Sequence, residues 1–216
     1  MNYAERQVAD IAASLPGATQ VFRHYKIDFC CGGQVPLSQA AAERGAALPE
    51  LEAELAALET GATEVPKGNE ELIEHILDRY HATHRAELPE LVRLAARVEE
   101  RHADKPAVPR GLHAALLELS GALEDHMQKE EQVLFPMLVA GHGARAGMPI
   151  SVIEAEHEDH GKNLARLRAL VSDYVPPAEA CNTWKALYLG LAELERELME
   201  HIHLENNALF PRALNG

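Results

Sequence analysis

Two segments of the chain read alike: HMQKEEQVLFP over residues 126–136 and HIHLENNALFP over residues 201–211. Each sets a Glu four residues after a His, with Phe-Pro five and six residues after that Glu. A separation of four stacks imidazole and carboxylate on one helix face, so both can reach a common point. The segments lie 75 residues apart, which marks an internal duplication. That duplication is larger than the motif, because His81 precedes His126 by 45 residues and His157 precedes His201 by 44. A whole helix pair recurs.

One His on an apolar helix face is ordinarily a hydrogen-bonded core residue, and one His-x-x-x-Glu is ordinarily an exposed pair. Four apolar faces that are all interrupted call for another explanation, since buried His and Glu are costly unless each finds a partner. Two hairpins related by a pseudo-twofold would bring His81, His126, Glu130, His157, His201 and Glu205 together at mid-bundle. That constellation is a dinuclear metal site in which each Glu can bridge both ions and two His complete each ion's protein ligands. Nitrogen and oxygen donors without thiolate suit iron or manganese, with zinc as a further candidate. Coordination positions would stay open for oxygen, nitric oxide or water.

His84 and His160 each follow a proposed ligand by three residues on the same face. A further ligand, a hydrogen-bond partner of the ligands, and a polar lining of the access route are all open to them; the hydrogen-bond role is preferred. Glu156 either lines a polar path toward the metals or is a solvated surface residue. Phe135 and Phe210 fall where an aromatic ring can cover the site, and Pro136 and Pro211 should kink or end their helices nearby. His24, His75, His102, His113, His142 and His203 lie off these faces or outside the bundle and read as ordinary residues.

Long helices must carry these side chains, and the composition favours them. The 216 residues are 47% hydrophobic but only 5% aromatic, and Ala, Leu and Glu predominate, so the expectation is all-α. Apolar residues at steps of three and four give helices over roughly 69–102, 110–140, 149–173 and 178–212. At 1.5 Å per residue these are about 40 to 50 Å long, and their short connections favour an antiparallel four-helix bundle. Ahead of it, residues 1–60 read as a small helical N-terminal domain with a turn-rich centre at DFCCGGQVP, and 61–68 as a linker to a bundle over 69–216.

Adjacent Cys30 and Cys31 are the catalytic candidates of the small domain. A disulfide between them would close a strained eight-membered ring, which favours reversible oxidation, metal or cluster handling, or thiol exchange with another protein. Cys181 has no chemical neighbour in sequence and reads as packing. Three cysteines build no disulfide framework, which fits a reducing compartment. No secretory signal or membrane-length apolar run is present, so a cytoplasmic protein is expected. The net charge of −14 argues against nucleic acid or an anionic membrane surface as partner.

The segments FRHYKIDFCCGG, DRYHATHRAELPEL, HMQKEEQVLFPM, PISVIEAEH and HIHLENNALFPRAL together give a chain that strongly resembles the repair-of-iron-centres family, the YtfE- and ScdA-like hemerythrin-related proteins. The resemblance covers nearly the whole chain. It implies a hemerythrin-like bundle with two non-haem irons, bridged by carboxylate or an oxo group. Carried over motif by motif, the ligands are His81, His126, Glu130, His157, His201 and Glu205, and Cys30 and Cys31 match the family's vicinal pair. The implied function is repair of iron-sulfur clusters damaged by nitric oxide or oxidants, by iron delivery to the damaged proteins. Two rival readings are a di-iron nitric oxide reductase and an oxygen or nitric oxide sensor. The oligomeric state stays open, a homodimer included.

Overall fold

The computed structural model describes residues 3–15, 17–29, 32–58 and 68–215. Cys30, Cys31 and nearly all of the expected linker lie outside the described residues. Four short helices come first: α1 (Val8–Ser14), α2 (Ala18–His24), α3 (Leu37–Arg44) and α4 (Leu48–Leu58). Gly33 fastens the loop between α2 and α3 to α1. Its carbonyl accepts the Ala9 N–H at 2.8 Å, and a Cβ on it would stand 2.8 Å from the Phe29 carbonyl oxygen and 3.0 Å from the Ala9 nitrogen. Only glycine permits that approach.

Four long helices follow: α5 (69–101), α6 (112–139), α7 (Gly147–Leu170) and α8 (182–215). They form an all-α, antiparallel bundle, and no strand occurs among the described residues. α7 stops three residues short of the expected end because Ser172, Asp173 and Tyr174 take left-handed backbone conformations, with φ of 50°, 56° and 62°. α8 starts at Asn182 rather than near 178, with Cys181 as its N-cap residue.

Three of the four helices contain a π turn, which the apolar periodicity does not foretell. Leu77–His81 in α5, Glu130–Leu134 in α6 and Glu205–Leu209 in α8 adopt it. The backbone N–H groups of Ala82, Phe135 and Phe210 reach back five residues, to the carbonyls of Leu77, Glu130 and Glu205. Each such turn holds one extra residue and rotates everything beyond it by about 100° about the axis. Neither Pro136 nor Pro211 ends its helix, contrary to one of the two expectations for them: α6 runs on to Val139 and α8 to Asn215. Both prolines sit in the first turn after a π segment, where the hydrogen-bond register changes and a missing N–H is tolerated. α7 has no π turn, so the two hairpins are imperfect copies.

The apolar stripes meet as expected. Leu88, Leu91, Leu119, Leu123, Leu164, Leu167, Leu194 and Leu198 are buried in one cluster that also takes in the core of α1–α4. Leu72, Ile76, Phe135, Ile150, Leu209 and Phe210 belong to a second cluster at the other end of the bundle. Between the two lies a buried layer of His and Glu. Outside it, α1 packs on α8, and Arg23 of α2 pairs with Glu200 of α8 at 2.8 Å.

Candidate metal centre

The polar layer consists of the six residues singled out by their spacing and two more. His81, His126, Glu130, His157, His201 and Glu205 are each no more than 1% exposed, and His84 and His160 no more than 2%. The inward nitrogens meet in pairs from opposite hairpins: His81 Nε2 lies 3.2 Å from His201 Nε2, and His126 Nε2 lies 3.2 Å from His157 Nε2. Glu130 Oε2 stands between two of them, 3.3 Å from His81 Nε2 and 3.4 Å from His126 Nε2. Glu205 mirrors it, with Oε1 3.1 Å from His201 Nε2 and Oε2 3.1 Å from His157 Nε2.

For three of the four rings, an acceptor behind the ring points the inward nitrogen. His81 Nδ1 donates to Glu131 Oε1 at 2.7 Å, His157 Nδ1 to Asn206 Oδ1 at 2.7 Å, and His126 Nδ1 to Glu156 Oε2 at 3.1 Å. A proton on Nδ1 leaves Nε2 a lone-pair donor in the neutral ring. In the His126/His157 pair, where both Nδ1 positions are so held, two lone pairs facing each other at 3.2 Å repel unless a cation lies between them. Among the described residues neither Glu130 oxygen has a hydrogen-bond partner, an expensive arrangement for a buried carboxylate in the absence of a cation. Ligand atoms bound about 2.1 Å from a common ion at right or tetrahedral angles sit about 3.0 to 3.4 Å apart, which matches these spacings. The chain therefore offers a His/Glu cluster fit to hold metal. Its atoms fall into two groups, His81/Glu130/His201/Glu205 and His126/Glu130/His157/Glu205, each within 4.8 Å. Both Glu residues belong to both groups.

The surroundings repeat with differences. Phe135 stacks on His81 at 5.8 Å between centroids, and Phe210 lies parallel to His157 at 6.1 Å with an interplanar angle of 3°. The π turns are what swing these rings over the layer, so the apolar cover expected of them is present. Glu156 is neither free nor fully solvated: besides His126 it pairs with Lys129. Among the described residues His201 Nδ1 has no hydrogen-bond partner; Tyr80 stacks on that ring instead, at 5.5 Å and 7°. The hydrogen-bond role preferred for His84 and His160 is not found, because neither ring nitrogen of either has a hydrogen-bond partner among the described residues. They line the layer, 5.4 Å from His201 and 4.9 Å from His126 between centroids.

Sequence reasoning missed Glu131 and Asn206. A signal was available: each directly follows the motif Glu, and both are side-chain acceptors. Arg85, which donates to Glu131 at 2.6 Å and so holds its carboxylate in place, gave none. His203 was also passed over. It is buried, with Nδ1 3.2 Å from the Phe29 carbonyl, so the residue preceding Cys30 is anchored to α8 within one turn of Glu205.

Burial, reinforced by neighbouring imidazoles, takes His81 and His160 from 6.5 down to about 4 and His84 down to about 2, and lowers His126 in the same way. Burial and the facing Glu205 push Glu130 well up. Burial alone would raise Glu205 too, but His201 and His157 outweigh it and hold that carboxyl low. In the metal-free chain these four imidazoles, His81, His84, His126 and His160, are neutral when folded and protonate on unfolding once the pH falls below 6.5. The unfolded state then binds more protons, so their contribution is full above pH 6.5 and is lost as the pH falls toward 4. Thermal melts of metal-free protein should give a Tm several degrees lower at pH 5 than at pH 7.5. Equal values would show that the rings are not held neutral.

Imidazoles and shared carboxylates in the core of a four-helix bundle define a cation-binding bundle protein. The chain belongs to the hemerythrin HHE cation-binding domain family, whose profile matches residues 72–213. A second profile, ScdA_N, a domain of unknown function, matches residues 4–59. Similar proteins include the iron-sulfur cluster repair protein YtfE of Dickeya chrysanthemi, 47% identical over 220 residues and all of both chains. Its counterpart in Escherichia coli O157:H7 is 48% identical over 219 residues, again spanning both chains fully. A probable iron-sulfur cluster repair protein of Haemophilus influenzae is 44% identical over 221 residues, covering 100% of this chain and 99% of its own. No helix among the described residues is long and apolar enough to cross a membrane.

Proposed function

We propose that the protein repairs damaged iron-sulfur clusters by holding two non-haem irons in the polar layer and releasing iron to the damaged protein. The observation that carries this reading is the pair of overlapping groups sharing Glu130 and Glu205, in a chain aligned end to end with relatives named for cluster repair. His81 and His201 would hold one iron and His126 and His157 the other, with both carboxylates common to the two. Bound there, the irons would supply redox-active cations able to take oxygen or nitric oxide. The chain's own residues do the rest. Glu131, Asn206 and Glu156 keep His81, His157 and His126 in the tautomer that presents Nε2 inward. Phe135 and Phe210 limit water at the centre.

Residues 1–60 form a separate functional unit on this reading, and 69–216 the iron-holding one. Phe29, the residue before Cys30 in sequence, is anchored on His203 of α8, and on this reading the thiols of Cys30 and Cys31 pass iron or exchange with a client. A reducing cytoplasm suits vicinal thiols, and damaged iron-sulfur proteins are the partners. An iron-sulfur enzyme inactivated by nitric oxide should regain most of its activity when the iron-loaded chain is added, and little with the metal-free chain. No recovery, with steady conversion of nitric oxide to nitrous oxide, would replace repair by a reductase.

A further inference from the structure

At the far end of the bundle from the polar layer, Cys181 and His102 meet. They are 79 residues apart in sequence, yet His102 Nε2 lies 3.2 Å from Cys181 Sγ. His102 follows His81 by 21 residues at the end of α5, which places the pair about 30 Å from the candidate metal centre. Cys181 is the N-cap residue of α8, but its side chain makes no capping hydrogen bond; the sulfur faces the imidazole instead. Trp184 packs on that imidazole, 5.1 Å between centroids, and restricts its orientation.

A cavity of about 180 Å³ opens over the pair, lined by Arg97, Val98, Arg101, His102, Cys181 and Thr183. Arg97 and Arg101 are exposed. Neither has an ion-pair partner among the described residues, whereas Arg79, Arg85, Arg168 and Arg196 each hold a carboxylate. In a chain of net charge −14, two guanidiniums left unpaired beside a nucleophile and a base form a local anion-binding mouth.

We propose that Cys181 is a thiol-exchange site for a small anionic disulfide, with His102 as its base and Arg97 and Arg101 holding the carboxylates of the incoming molecule. His102 takes the thiol proton, and the Cys181 thiolate attacks one sulfur of the disulfide. The new S–S bond forms at Sγ as the old one breaks, and the departing thiolate takes the proton from His102. No net oxidation occurs: one disulfide and one thiol become another disulfide and another thiol. The structure thus gives Cys181 a chemical partner that a sequence reading as packing could not see. It gives His102 a role as well.

The test treats the full chain with glutathione disulfide, which is anionic, and with neutral 2-hydroxyethyl disulfide. Peptide mass mapping follows Cys181 separately from Cys30 and Cys31. Relative to N-acetylcysteine under the same conditions, Cys181 should prefer the anionic reagent by about tenfold at low salt, and the preference should shrink at high salt. An Arg97→Ala/Arg101→Ala variant should lose the preference while keeping its rate with the neutral reagent; His102→Gln should slow both reactions. An unmodified Cys181, or an anionic-to-neutral rate ratio on the unaltered chain equal to that of N-acetylcysteine, would overturn the proposal.

Discussion

Glu130→Ala is expected to cost the protein both irons, although it removes one side chain. Each imidazole pair serves one group of ligand atoms, whereas Glu130 and Glu205 belong to both. Loss of Glu130 therefore strips a donor from each ion, and Glu205→Ala should do the same. His81→Ala, by contrast, withdraws a donor from one group alone and should leave more iron behind than either Glu variant. Misfolding would make a trivial explanation, and the metal-free state separates the two. Glu130 is a fully buried carboxyl that burial and Glu205 push well up, so its removal relieves an electrostatic cost. The metal-free Glu130→Ala chain should melt no lower than the metal-free parent. Iron retained by Glu130→Ala with unchanged spectra would remove that Glu from the ligand set.

The bundle and the centre of this layer were legible in the sequence for one reason: the chain states them twice. A single His-x-x-x-Glu carries little information, but the repeat at 126 and 201, with His81 and His157 at near-equal distances upstream, fixed which faces must converge. Composition and stripes gave the four long helices to within a few residues. What the sequence concealed has a common cause as well. Apolar periodicity assumes a constant 3.6 residues per turn, so π turns at Leu77–His81, Glu130–Leu134 and Glu205–Leu209 are invisible to it. Contacts between distant elements were equally hidden. Arg85 on Glu131, His203 on the Phe29 carbonyl and His102 on Cys181 join residues 46, 174 and 79 positions apart. For His84 and His160 the helical face was read correctly, yet a face does not say what a ring nitrogen meets.

A Cys30→Ala/Cys31→Ala variant should keep its full complement of iron and lose repair. The six candidate ligands all lie on α5–α8, and the backbone that anchors the cysteine loop, through Phe29 on His203 and Gly33 on Ala9, is untouched by the exchange. Alanine cannot accept iron, form a mixed disulfide with a client or relay an electron. Recovery of a nitric-oxide-damaged cluster enzyme should fall at least about tenfold, while the iron spectrum stays that of the parent. Full recovery would reduce the pair to packing. Loss of iron would make the cysteines ligands.

The central claim is that the polar layer of the bundle is a dinuclear iron centre, and quantification of metal in the purified full chain tests it most directly. The two groups sharing Glu130 and Glu205 predict two irons per chain, in an environment of nitrogen and oxygen donors with the irons magnetically coupled. One iron per chain, two uncoupled irons, or a different metal at full occupancy would contradict it.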